Sequence, residues 1–136
     1  MSARIDLVER ALAAGVGMSE DDLSEIFTDD ATVWSPIMFA TGPEELAEAF
    51  VDRELAFDNH VVSIRSIDEF GARVFVEWQL DADHVDASVL TDDAVIEETG
   101  RHVFMGVASV FDFRGDKVCA VRSYFDSLAL LEQIVD

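Results

Sequence analysis

A histidine beside a run of carboxylates is the first group in this chain that could move a proton. His84 follows the strand-like segment around Trp78 and sits among Asp81, Asp83 and Asp86. At a pocket rim, an imidazole can act as a general base near neutral pH. The simpler reading is a surface-loop histidine among acids. His60 and His102 read as strand-end residues. Asp81-x-Asp83-x-x-Asp86 has a superficial likeness to a calcium loop, but it lacks the glycine and closing glutamate at the required spacing. A solvated acidic loop is the simpler reading. Tyr124 and Asp126 could pair as a hydrogen-bond donor and an acid. Asp126 also suits a helix N-cap. Strand alternation turns Tyr124 away from Ser123 and Phe125. The candidate catalytic residues are therefore His84, Asp126 and Tyr124. Ser35, Ser109 and Ser123 lack an obvious His–Asp partner, which argues against nucleophilic catalysis. Cys119 reads as a buried small hydrophobe. No metal site and no cofactor are expected.

Composition narrows the field. A chain of 136 residues that is 50% hydrophobic, with 10 phenylalanines, can bury a core as a single domain over residues 1–136. No apolar run approaches the roughly 20 residues of a membrane span. Met1, Ser2, Ala3 and Arg4 do not open a leader peptide. One cysteine excludes an internal disulfide framework and suits a reducing, cytoplasmic setting. The net charge of −20 repels nucleic acid and anionic membranes, so neither is expected as a partner. Lys117 is the only lysine. That bias fits either a GC-rich genome or a salt-rich cytoplasm that screens self-repulsion.

The elements that must position these groups follow from periodicity. Ile5, Val8 and Leu12 recur at helical spacing until Gly15 and Gly17. Ser19 and Asp22 open a second helix, with Leu23, Ile26 and Phe27 as its apolar stripe. Ala31 to Trp34 reads as a short strand stopped before Pro36. Gly42-Pro43-Glu44-Glu45 starts a third helix, which Leu46, Ala49 and Phe50 carry inward. The period then changes to two. His60 to Ile67 is a strand, Glu69-Phe70-Gly71 a turn, and Val74, Val76, Trp78 and Leu80 one face of the next strand. Asp81 to Glu98 reads as a long loop or loose hairpin end. Val103 to Phe113 and Val118 to Phe125 form a final hairpin about Arg114-Gly115-Asp116-Lys117. Asp126 then caps a short helix with Leu128, Leu130, Leu131 and Ile134. Helices first and an antiparallel meander after them indicate an α+β fold.

The strand from Val103 to Phe113 is apolar on both faces. Met105, Val107, Ser109 and Phe111 point one way, and Phe104, Gly106, Ala108 and Val110 the other. One apolar face packs on helices. A second one predicts a homodimer through the outer face of the sheet.

Phe27, Asp29, Asp30, Ala31, Thr32, Val33 and Pro36 form the pattern F-x-D-D-A-T-V-x-x-P. Gly42, Glu44 and Phe50 follow, and near the C-terminus come Phe111, Phe113, Gly115, Lys117, Val118, Arg122, Tyr124, Phe125 and Asp126. Across nearly its whole length the chain resembles the nuclear transport factor 2-like superfamily, in particular its SnoaL-like polyketide cyclase and ketosteroid isomerase branch. The resemblance implies a cone-shaped, cystatin-like roll: N-terminal helices on a strongly curved antiparallel sheet, a short C-terminal helix, and a pocket at the wide end. It implies substrate contacts from Trp34 or Ser35, Trp78, Leu80, Met105, Val107, Ser109, Ser123 and Phe125, with Val76 and Val121 beside them. Carried over residue by residue, the ketosteroid isomerase base falls on Ser35, its buried acid on Ser109, and its oxyanion tyrosine near Ala11. None of these can fill the role. The Arg and two Asp of the epoxide hydrolase branch fall on Trp78, Leu80 and Ser123, and are also missing. Asp126 is the nearest match to the acid of SnoaL-like cyclases.

Apolar walls with a few hydroxyls suit a small lipophilic molecule. Two expectations follow. One is a cofactor-free, proton-transferring isomerase or cyclase acting on a lipophilic or polycyclic substrate. The other is a non-catalytic lipophile-binding or dimerising domain on the same fold.

Overall fold

The computed structural model describes residues 2–13, 20–36, 38–84, 88–91, 94–96 and 102–134. Helix α1 (Ala3–Ala13) begins where Ser2 caps it: the Ser2 hydroxyl accepts from Ile5 N–H at 3.3 Å, and its carbonyl from Asp6 N–H at 3.1 Å. Val8 is buried, with Leu7, Ala11 and Leu12 packed partly against the core. Helix α2 (Glu20–Ile26) buries Leu23 and Ile26 beside it. Arg10 and Glu25 link the two helices at 2.8 Å. The Lys117 ammonium donates to the Ser24 carbonyl at 2.9 Å, placing a cation on the negative end of α2.

Strand β1 (Phe27–Ser35) is longer than its sequence pattern suggests and already contains Phe27. That residue ends the helical stripe by periodicity, but its ladder partner is Val118 on the far strand. Strand β2 (Met38–Thr41) leads into α3 (Gly42–Ala56). Gly42 has φ 81°, and a Cβ there would stand 2.8 Å from the Asp29 carbonyl oxygen, so only glycine fits.

The second half is built of strands: β3 (Phe57–Phe70), β4 (Arg73–His84), β5 (Ser88–Thr91), β6 (Ala94–Ile96), β7 (His102–Arg114) and β8 (Lys117–Tyr124). Helix α4 (Ser127–Ile134) closes the chain. The main sheet has six strands in the order β2-β1-β8-β7-β4-β3. Register irregularities in β3 at Asp58/Val61 and Ile64/Ser66, and in β1 at Phe27/Thr32, bend it. Helices α1, α2 and α3 pack on the sheet.

Two expectations need correction. The sheet is mixed, because β1 and β8 pair in parallel. Strands β3, β4, β7 and β8 form the expected antiparallel meander, and β1 joins its β8 edge in parallel. The acidic segment after Leu80 is also not a plain loop. Strand β4 runs on to His84, and β5 and β6 pair antiparallel as a separate ladder.

One arginine gathers the hairpin tips. Arg4 donates to the Gly71 carbonyl at 2.8 Å and to the Gly115 carbonyl at 3.1 Å. Its guanidinium also lies 5.4 Å from the Phe113 ring centre. The start of α1 is thereby tied to both the β3–β4 and β7–β8 turns.

Candidate functional site

Inward-facing positions of β4, β7 and β8 form rows across the sheet. Register pairs Val74 with Phe111, Val76 with Ser109, Trp78 with Val107, Leu80 with Met105, and Ala82 with Val103. It also pairs Ser109 with Ser123 and Phe111 with Val121. Near the hairpin tips the rows are buried, with Val74, Phe111, Phe113 and Val118 in the core. At Leu80 and Met105 they become half-buried, and at Ala82 and Val103 they are buried again. Phe125, just after β8, is half-buried as well. On β3, Ile64 pairs with Trp78 and Val62 with Leu80, so both share this face. Ile64 keeps 38% exposure there. The inner face thus has a partly uncovered apolar band bounded by buried rows.

Ser109 is the buried polar residue of the described core, at 2% exposure. Its hydroxyl accepts from the Trp78 indole N–H at 3.0 Å and shares a hydrogen bond with the Ser123 hydroxyl at 2.7 Å. The indole and the two hydroxyls thus form one hydrogen-bonded chain.

The sequence candidates divide between the two faces. Trp78, Leu80, Met105, Val107, Ser109, Ser123 and Phe125 come together on the inner face. Trp34 and Tyr124 lie on the outer face, 39% and 50% exposed, with ring centroids 5.4 Å apart. Strand alternation puts Ser35 on the side of buried Val33, opposite Trp34. The Asp126 carboxylate accepts from Leu128 N–H at 3.0 Å and Ala129 N–H at 3.1 Å, which makes it the cap of α4. His84 is the last residue of β4, and its side chain lies outside the described residues, as does Asp86. Ile64 and Val62 were not expected in the lining. Their alternation along the strand was the available signal, but the bulge beside Arg65 breaks its continuity.

The outer face carries charged clusters at its edges. His102 Nδ1 lies 2.9 Å from Asp83 and Nε2 lies 3.2 Å from Asp81. The hydrogen bond to Asp83, then that to Asp81, raises the His102 pKa. Gln79 first, then His102, lower that of Asp81. For Asp112, burial opposes ionisation, but hydrogen bonds from Arg73 at 2.6 Å and Arg122 at 2.9 Å outweigh it and lower its pKa. Among the described residues, no group of three or more His, Cys, Asp or Glu converges to hold a metal ion. No described helix is long and apolar enough to cross a membrane.

A bent mixed sheet under N-terminal helices is the architecture of the nuclear transport factor 2-like cone folds. A SnoaL-like domain profile matches residues 8–121, and the chain belongs to the SnoaL-like family. Solved structures share the fold. A SnoaL-like polyketide cyclase from Agrobacterium tumefaciens str. C58 superposes with a TM-score of 0.74 at 16% identity, covering 99% of this chain and 100% of that one. A protein of ketosteroid isomerase-like fold from Catenulispora acidiphila DSM 44928, in complex with trimethylamine, gives 0.76 at 18% identity, covering 95% and 92%. An epoxide hydrolase from M. tuberculosis gives 0.70 at 20% identity, covering 97% and 89%. No curated protein matches the chain by sequence.

Proposed function

We propose that this SnoaL-like protein binds a small lipophilic molecule against the inner face of its sheet, at the band formed by Leu80, Met105, Phe125 and Ile64. The observation that carries this reading is the placement of that band. Apolar side chains stay partly uncovered between buried rows, next to the Ser109–Ser123 hydroxyl pair. Apolar walls with few polar groups suit a lipophile. No acid or base lies buried among the described residues, which favours binding over proton transfer. A catalytic reading rests on His84, at the end of the strand that carries Trp78 and Leu80. Native mass spectrometry after incubation with a cell extract tests the binding reading. A neutral small molecule should co-purify with the natural chain and be lost from Leu80→Asp. Recovery of the same ligand by both proteins would contradict the site.

The outer face supports a second part of the proposal, a homodimer. Phe39, Trp34, Tyr124, Ala108 and Phe75 lie on neighbouring strands of that face, and all are exposed. Exposed aromatic side chains on adjoining strands are a feature of protein–protein interaction surfaces. A second copy of the chain, related by a two-fold axis, would cover both patches at once. The lone cysteine and the acidic composition fit work in the cytoplasm, away from nucleic acid and membranes.

A further inference from the structure

We infer that the Ser123 hydroxyl is an outward-pointing hydrogen-bond donor that selects neutral lipophiles carrying an acceptor oxygen, such as a ketone. The inference rests on the reading that a lipophile occupies the inner face. It adds the direction of the polar contact, which follows from the hydroxyl chain.

An indole N–H can only donate. Trp78 therefore donates to Ser109 Oγ, at 3.0 Å. Ser109 is buried, and its own hydrogen has one partner among the described residues: Ser123 Oγ, at 2.7 Å. The opposite arrangement would have both Trp78 and Ser123 donate to Ser109. It would leave the Ser109 hydrogen without an acceptor in apolar surroundings, where an unmade hydrogen bond is costly. The chain therefore runs Trp78 to Ser109 to Ser123. Each link polarises the next, so the terminal O–H becomes a better donor than an isolated serine.

The Ser123 hydrogen ends this chain with no acceptor among the described residues. Ser123 itself is half-buried and precedes half-buried Phe125 by two residues. A ligand lying on the apolar band can bring its oxygen to that donor. Charge on the ligand would be penalised, because no described ionic side chain is buried in the core to meet it. The class is thus a neutral lipophile with a hydrogen-bond acceptor.

A matched pair of probes tests this: 2-acetylnaphthalene, which carries a ketone, and 2-ethylnaphthalene, which does not. Titration calorimetry on the natural chain should show the ketone binding about fivefold tighter. Ser123→Ala should erase that preference. Ser123→Thr, which keeps the hydroxyl, should retain it. Equal binding of both probes to the natural chain would overturn the donor assignment and leave the lipophile reading standing. Binding of neither probe to the natural chain would overturn both. A ketone preference that survives in Ser123→Ala would also overturn it, by placing the donor elsewhere.

Discussion

Ser109 shows how much one side chain can organise. It is the point where the Trp78 indole and the Ser123 hydroxyl meet, 31 and 14 residues away in sequence. Ser109→Ala removes the acceptor and leaves the Trp78 N–H buried and unpaired. Such a loss costs about 1–3 kcal/mol, and urea unfolding should read that drop in stability. Trp78→Phe removes the orphan together with its partner. The double variant Trp78→Phe/Ser109→Ala should therefore lose less than the two single losses added together. Ser109 and Ser123 were legible in the sequence because strict alternation marks inward positions. Their connection to Trp78 was not, since it depends on which strands become neighbours. The same limit left open which of Trp34 and Ser35 faces inward, which depends on how β1 sits against β8.

At the scale of elements, the β4–β7 ladder carries a titratable clip. His102 faces both Asp81 and Asp83 across the strands. Its pKa is raised from the ordinary 6.5, so protonated His102 stabilises the fold. That contribution is complete below the ordinary value and disappears as pH rises through the raised one. Asp81 works in the opposite sense: its pKa is lowered, and its contribution is lost only as acid titrates it below the ordinary 3.8. The melting temperature of the natural chain should therefore exceed that of His102→Asn near pH 5.5, and the difference should vanish by about pH 9. Nearby, the Gln133 side chain accepts from Phe104 N–H at 2.9 Å and donates to its carbonyl at 2.8 Å. Helix α4 thus closes an edge of β7 that β8 does not reach. Periodicity identified most strands, because alternation reports which face is buried. It says little about neighbours, so the parallel β1–β8 pairing was hidden. The acidic composition after Leu80 also masked the length of β4.

At the scale of the whole molecule, the sheet separates two roles. Its inner face holds the proposed ligand band, and its outer face holds the proposed dimer patch. Light scattering at micromolar concentration should give twice the chain mass of 15.0 kDa. Tyr124→Asp, on the exposed patch beside Trp34, should halve it with the fold retained. A monomer for the natural chain would contradict the dimer. The cone was legible early because the helices, turns and late strands matched a family pattern over nearly the whole chain. Chemistry was not legible, because the positions that the family resemblance implies for acids and bases fall on Ser35, Ser109, Ser123, Trp78 and Leu80. The chain has 2 tryptophans, and they lie on opposite faces, so each indole N–H reports on one face. The most direct test of inner-face binding is therefore an NMR titration of indole-labelled protein with 2-acetylnaphthalene. The account predicts a saturable shift of the Trp78 signal with Trp34 unmoved. A shift of Trp34 alone, or of neither, would contradict it.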